Sequence, residues 1–132
     1  MRQIITALFV TCLCAFNGAA QKPAAQTKKP RCADLTTQSA MNICAEDEYK
    51  KADAELNRVY RQLLPKLEAA HQEKLKAAQR AWLAFRDAHC ECEAFAFDGG
   101  SMQPLMRFSC LDGETHTRTQ QLQAFLKEVT NR

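Results

Sequence analysis

From Thr37 onward, apolar residues return every three or four positions. Ala45, Tyr49, Ala52, Leu56, Val59 and Leu63 are spaced 4, 3, 4, 3, 4, the stripe of a helix buried along one side. Thr36 or Thr37 is placed to cap its N-terminus. Pro65 is expected to end or kink this helix, because proline lacks the N–H and crowds the preceding turn. A second stripe, Leu75, Ala78, Trp82, Phe85, His89 and Cys92, predicts a helix from about Gln72 to Ala96. One unbroken helix over both stripes would be a rod of roughly 90 Å at 1.5 Å per residue. A chain this short cannot cover such a rod, so a turn is expected between Pro65 and Gln72. Asp98-Gly99-Gly100-Ser101 is the clearest break. Pro104 then suits the first turn of a third helix. Its stripe of Leu105, Phe108, Leu111, Thr115, Arg118, Leu122, Phe125 and Val129 runs to the C-terminus, with Gly113 as a place for a bend. No stretch alternates with period two, so no sheet is expected. Three helices with one apolar face each predict an all-α fold, a small antiparallel three-helix bundle.

The first residues follow another pattern. Arg2 is a short positive start, residues 4–15 are apolar, and Gly18-Ala19-Ala20 supplies small residues before Gln21. This reads as a secretory signal peptide over residues 1–20. The apolar run is shorter than the about 20 residues that a membrane span needs. Neither Cys12 nor Cys14 has the setting of a lipoprotein cysteine. Residues 21–31 carry Pro23, Pro30 and three lysines and no large apolar residue, which predicts a flexible tether. Residues 32–132 are left as the folded domain. The 132 residues are 46% hydrophobic and 25% charged, as in one ordinary globular domain. That excludes a disordered chain, a collagen-like repeat and a polytopic membrane protein. The formal charge of +3 falls to +2 once Arg2 is removed, too little to suggest a nucleic-acid partner. No later run is long and apolar enough for a transmembrane span. The expected location is periplasmic or secreted.

Five cysteines remain after the leader: Cys32, Cys44, Cys90, Cys92 and Cys110. In an oxidising compartment they are disulfide candidates first. A Cys32–Cys44 bridge would pin the N-terminal segment to the first helix. Cys110 would meet either Cys90 or Cys92 across the Gly-Gly turn, and on a helix those two point to opposite flanks. The rival reading of His89-Cys90-Glu91-Cys92 is a metal site, but adjacent C-x-C on a helix splays its thiolates. Disulfides plus one free thiol are preferred, with no metal and no cofactor. The nucleophile elbow, the P-loop, G-x-G-x-x-G and H-E-x-x-H are all missing from the sequence, so no enzyme is expected.

Polar residues interrupt the stripes. Arg118 falls on the core-facing line of the third helix. Asp53 flanks the first helix, with Asn57 one turn later. Gln79 and Arg86 flank the second. A buried arginine needs a partner, so Asp53 is expected to pair with Arg118 or Arg86 in a buried polar network of Asp53, Asn57, Gln79, Arg86 and Arg118.

The ordered set Cys44, Tyr49, Asp53, Leu56-Asn57, Tyr60, Leu75, Gln79, Trp82, Arg86, Cys90, Gly99-Gly100-Ser101, Cys110 and Arg118 resembles the lysozyme inhibitor LprI-like N-terminal domain family. Ala52-Asp53-Ala54-Glu55-Leu56-Asn57 and Ala78-Gln79-Arg80-Ala81-Trp82 are the most telling strings. The resemblance covers about residues 32–126. It implies a small secreted or periplasmic helical domain with cysteine pairs Cys32/Cys44 and Cys90/Cys110. Cys92 and Pro65 depart from the family pattern. The resemblance also implies a protein partner, lysozyme or another muramidase. An inhibitory loop would enter a cleft lined by two carboxylates. Asp98, Gly99, Gly100, Ser101 and Met102 form the candidate partner-binding loop, with Ser101 as the hydrogen-bonding residue. The alternative is an envelope-stress or toxin-immunity module that binds another protein, using an apolar patch around Met102, Leu105 and Met106.

Overall fold

A computed structural model describes residues 32–131. The expected signal peptide (1–20) and tether (21–31) lie outside the described residues. Three long helices follow in order: α1, Gln38–Leu63; α2, Ala69–Ala94; and α3, Gln103–Thr130. Short 3₁₀ turns occupy Cys32–Asp34, Leu64–Lys66 and Phe95–Phe97. The fold is all-α, a small helical bundle stapled by disulfides. Successive helices run antiparallel, so α1 and α3 run parallel, and their pairing is the most extensive in the molecule.

Local chemistry explains the boundaries. Thr37 caps α1: its backbone is extended and its hydroxyl accepts the Ala40 N–H at 3.2 Å. Pro65 sits at the start of the Leu64–Lys66 turn, where its missing N–H costs no helical bond. α2 begins at Ala69, three residues before the stripe predicts, because Ala69 and Ala70 favour helix without contributing to the apolar line. Its end comes at Ala94, with the 3₁₀ turn completing the way to Phe97. α3 runs unbroken through Gly113.

The buried line of α2 differs from the predicted one. It is Leu75, Arg86, Cys90 and Ala94, with Gln79 and Trp82 half-buried along the same line, whereas Ala78, Phe85 and Cys92 are exposed. Spacings of 4, 3, 4, 4, 4 carry this line around the helix in the opposite sense from the predicted stripe. Two residues cause the turn. Arg86 is buried because it finds polar and aromatic partners, and Cys90 is drawn inward by its disulfide. Phe85 is left 57% exposed, stacked on His89 at 5.3 Å between ring centroids.

The interior is graded along the bundle. At the Pro65 end, Leu56, Val59, Leu63, Leu75 and Leu122 form the aliphatic core, flanked by Tyr60, Leu67, Phe125 and Val129. The loop end buries smaller residues, among them Cys44, Ala45, Cys90 and Ala94. Small side chains bring little hydrophobic free energy, and here covalent staples replace it. Cys32 joins Cys44 and Cys90 joins Cys110, with Cα–Cα distances of 5.4 and 5.5 Å. Cys92 is free and exposed.

Candidate functional site

The loop that joins α2 to α3 is a type II turn. Asp98 has φ −57° and ψ 133°, Gly99 has φ 70°, and the Gly100 N–H donates to the Phe97 carbonyl at 2.9 Å. Position three of such a turn needs a positive φ, which glycine adopts without strain. Further bonds hold the loop. Gln103 Nε2 donates to Asp98 Oδ1 at 3.0 Å. Asn42 Nδ2 on α1 donates to the Ser101 carbonyl at 3.0 Å, and Gln38 Nε2 orients Asn42 through its Oδ1 at 2.8 Å. The Ser101 side chain is exposed, and no hydrogen bond engages its hydroxyl among the described residues. Ile43, Phe95 and Met102, exposed by 58%, 74% and 41%, share this end of the bundle. Leu105 and Met106 are half-buried. Asn42 as the loop's anchor carries no signal in the helical pattern; the contact spans 59 positions of sequence.

The polar residues divide into two groups around Trp82. Arg86, 5% exposed, donates to Thr115 Oγ1 at 3.3 Å and approaches Asp53 Oδ1 at 3.5 Å. Its Nε and Nη2 hold Asp87 Oδ1 at 2.9 and 2.8 Å. Its guanidinium carbon lies 5.4 Å from the Tyr49 ring centroid and 5.1 Å from that of Trp82. Asp53 therefore pairs with Arg86, not with Arg118. Arg118 instead donates to Gln79 Oε1 at 3.1 Å and Gln121 Oε1 at 3.0 Å, and lies 5.8 Å from the Trp82 centroid. Burial lowers its pKa from the usual guanidinium value. Of the five predicted network residues only Arg86 is buried; Asp53, Gln79 and Arg118 are half-buried and Asn57 is exposed. The long Arg118 side chain carries its charge outward to the rim, whereas Arg86 keeps its charge inside among its polar and aromatic partners. Thr115 and Asp87 complete the group and were not visible as partners in the sequence pattern.

Asn57 Nδ2 donates to the Asp53 carbonyl at 2.8 Å and to Asp53 Oδ2 at 2.9 Å. These two residues lie on one wall of a groove of about 250 Å³ between α1 and α2. No Cα of α1 comes within 8 Å of one in α2, so the two helices meet through side chains alone. Leu56, Tyr60, Lys76, Gln79, Arg80 and Leu83 complete the lining.

A second polar spot lies between α1 and α3 beside the Cys32–Cys44 bridge, where Glu48, Ser109 and Asp112 line a cleft of about 210 Å³. His116 Nε2 stands 3.4 Å from Asp112 Oδ1, too poorly aligned to donate. That buried oxygen has no hydrogen-bond partner among the described residues. Burial pushes the Asp112 carboxyl pKa up; nearby His116 opposes the shift and Glu48 adds to it. His89 and Glu93 stand near Cys110, but the Cys110 sulfur is committed to its disulfide and is no thiolate ligand.

The sequence profile of the family described as Lysozyme inhibitor LprI matches residues 31–122. That span holds both disulfides, the glycine turn and both arginine groups. This chain belongs to the LprI lysozyme-inhibitor family. The chain is similar to uncharacterized protein R02472 of Rhizobium meliloti (strain 1021), at 35% identity over 99% of this chain and 100% of the relative. It is also similar to uncharacterized protein YecT of Escherichia coli (strain K12), at 32% identity over 70% of this chain and 66% of the relative. No solved structure matches. For an LprI-family chain the disulfide framework is as the resemblance implies, and Cys92 is the free thiol. No helix among the described residues is long and apolar enough to cross a membrane.

Proposed function

We propose that this protein is an exported, non-enzymatic inhibitor of lysozyme or a related muramidase. In this reading residues 1–20 direct export, 21–31 tether the domain, and 32–132 bind the target in the periplasm or outside the cell. The observation that carries it is the turn at residues 98–102, presented at the stapled end of a family member. Backbone hydrogen bonds, the side chains of Asn42 and Gln103, and the neighbouring Cys90–Cys110 bridge hold that turn. A preformed loop loses little conformational entropy on binding. Ser101 offers an unengaged hydroxyl to a carboxylate-lined cleft, and Ile43, Phe95 and Met102 supply apolar contact around it. The same apolar rim favours a second reading, a non-lysozyme partner in envelope stress or toxin immunity.

A cell-wall lysis assay tests the first reading. The purified, oxidised protein is added to lysozyme, with a reduced and alkylated sample as control. Stoichiometric inhibition by the oxidised form alone is expected, weakened by Ser101→Arg. Absence of inhibition across several lysozyme types overturns the lysozyme target, and capture of a different envelope protein that depends on the same loop establishes the second reading.

A further inference from the structure

The groove between α1 and α2 lies apart from the loop and has its own chemistry. Packed helices approach to interaxial distances of about 8–10 Å, which brings Cα atoms of the pair within 8 Å. α1 and α2 do not come that close. Arg86, Tyr49 and Trp82 fill the space between them near Asp53. Below these side chains the space is open, about 250 Å³ in volume.

Its two walls differ in what they offer. Lys76, Gln79 and Arg80 have i, i+3, i+4 spacing on α2 and share one face. Gln79 spends its carbonyl oxygen on Arg118 at 3.1 Å, so its NH₂ group is left to donate. Lys76 is tied to Glu73 at 2.7 Å on the surface; Arg80 feels the same carboxylate at longer range but makes no hydrogen bond to it, so the two cations share one counter-charge. This wall presents donors, two of them cationic. On α1, Asn57 spends its NH₂ on Asp53, so its carbonyl oxygen is left to accept. Asp53 stands beside it with 37% of its side chain exposed; its Oδ1 is 3.5 Å from Arg86, but that one guanidinium also serves Asp87 at 2.8 Å, so the two carboxylates keep a net negative charge. This wall presents acceptors and a negative charge. Leu56, Leu83 and Tyr60 supply an apolar floor between the walls.

A bare anion would satisfy the α2 wall and leave the α1 wall unmatched. A neutral sugar would leave both charged walls without counter-charges. We propose that the groove binds a short zwitterionic peptide, with its carboxylate on Arg80, Lys76 and the Gln79 amide and its ammonium on Asp53 and the Asn57 carbonyl. The volume lies below the about 300–1,000 Å³ of sites for drug-sized ligands, which sets the occupant at one or two residues. Arg118 acts as a positioning residue, because its bond to Gln79 aims the amide donors into the groove. The inference does not depend on lysozyme inhibition, since the loop takes no part in it.

The test is a titration of the oxidised, ¹⁵N-labelled protein with the dipeptide Ala-Glu, followed by the side-chain amide resonances of Asn57 and Gln79. Saturable shifts with a midpoint on the order of 1 mM are expected for so open a site. N-acetylation of the dipeptide, or amidation of both its carboxylates, is expected to weaken binding by roughly tenfold, as loss of one charge-assisted contact does. Arg80→Gln on the exposed face is expected to weaken binding while leaving the melting temperature unchanged. No saturable shift up to about 20 mM, or equal binding of all three dipeptides, overturns the proposal. So does N-acetylglucosamine saturating the same resonances when Ala-Glu does not.

Discussion

Replacing Arg86 separates two explanations of why a charged side chain is buried in this bundle. If the Asp53 ion pair holds it, removing either partner has a similar cost. The geometry argues otherwise. The Asp53 contact is 3.5 Å long and Asp53 is 37% exposed, so water screens the pair and its worth is below about 1 kcal/mol. The two ring contacts at 5.4 and 5.1 Å are each worth about 0.5–2 kcal/mol. The Thr115 hydroxyl, fully buried, loses its bond from Arg86 at about 1 kcal/mol. Arg86→Ala is therefore expected to cost about 3 kcal/mol, while Asp53→Asn costs less than about 1 kcal/mol. In a domain of this size 3 kcal/mol lowers the melting temperature by roughly 12–24 °C. Urea unfolding of both variants and the double variant, followed by circular dichroism, measures the costs and their coupling. Equal losses for Asp53→Asn and Arg86→Ala would refute the reasoning, as would a coupling energy as large as the Arg86→Ala loss.

Three other outcomes follow from the structure. Replacing Cys90 and Cys110 together by alanine is expected to cost about 3 kcal/mol in the chain-entropy model, read as a lower urea midpoint at similar slope. The loss should fall on the loop end, where the buried side chains are small, and show as faster amide exchange there. Asp112→Asn is expected to stabilise the fold at neutral pH, because burial raises the Asp112 pKa, less the small loss of its i, i+4 contact with His116. The raised folded-state pKa means that ionised Asp112 weakens the fold above that pKa. The gain should shrink as pH falls through the raised pKa, and be absent below the ordinary carboxylate range; melting curves from pH 3 to 8 check it. Gly99→Ala meets no steric obstacle at its Cβ but must hold φ 70°, at about 1–2 kcal/mol; a larger loss, or none, in chemical denaturation contradicts the turn assignment.

Helix number, order and the two connections were legible in the sequence because each rests on local chemistry. The 3- and 4-residue spacing of α1, a threonine cap at Thr36 or Thr37, Pro65 and the Gly99-Gly100 pair act within a few residues of themselves; the structure places the cap on Thr37. The α1 stripe is the buried face, since Ala45, Ala52, Leu56, Val59 and Leu63 are all buried. The second stripe failed because α2 is short of large aliphatics. With alanine, lysine and arginine at nearly half of its positions, its periodicity is weak, and the buried line is chosen by what lies opposite. Thr115 and the Tyr49 ring make a place for Arg86, and Cys110 draws Cys90 inward. The helical pattern sets Arg86 beside the stripe, but only the packing of all three helices decides that it is buried while Arg80, six residues earlier, is exposed. The choice between Arg86 and Arg118 as the partner of Asp53 was likewise a tertiary one, fixed by how α1 and α2 each lean on α3 without touching through their backbones. That same arrangement opens the groove between them. A helical pattern specifies which face seeks cover, but the distance between two covered faces depends on the side chains that meet there, and those are set only when all three helices pack.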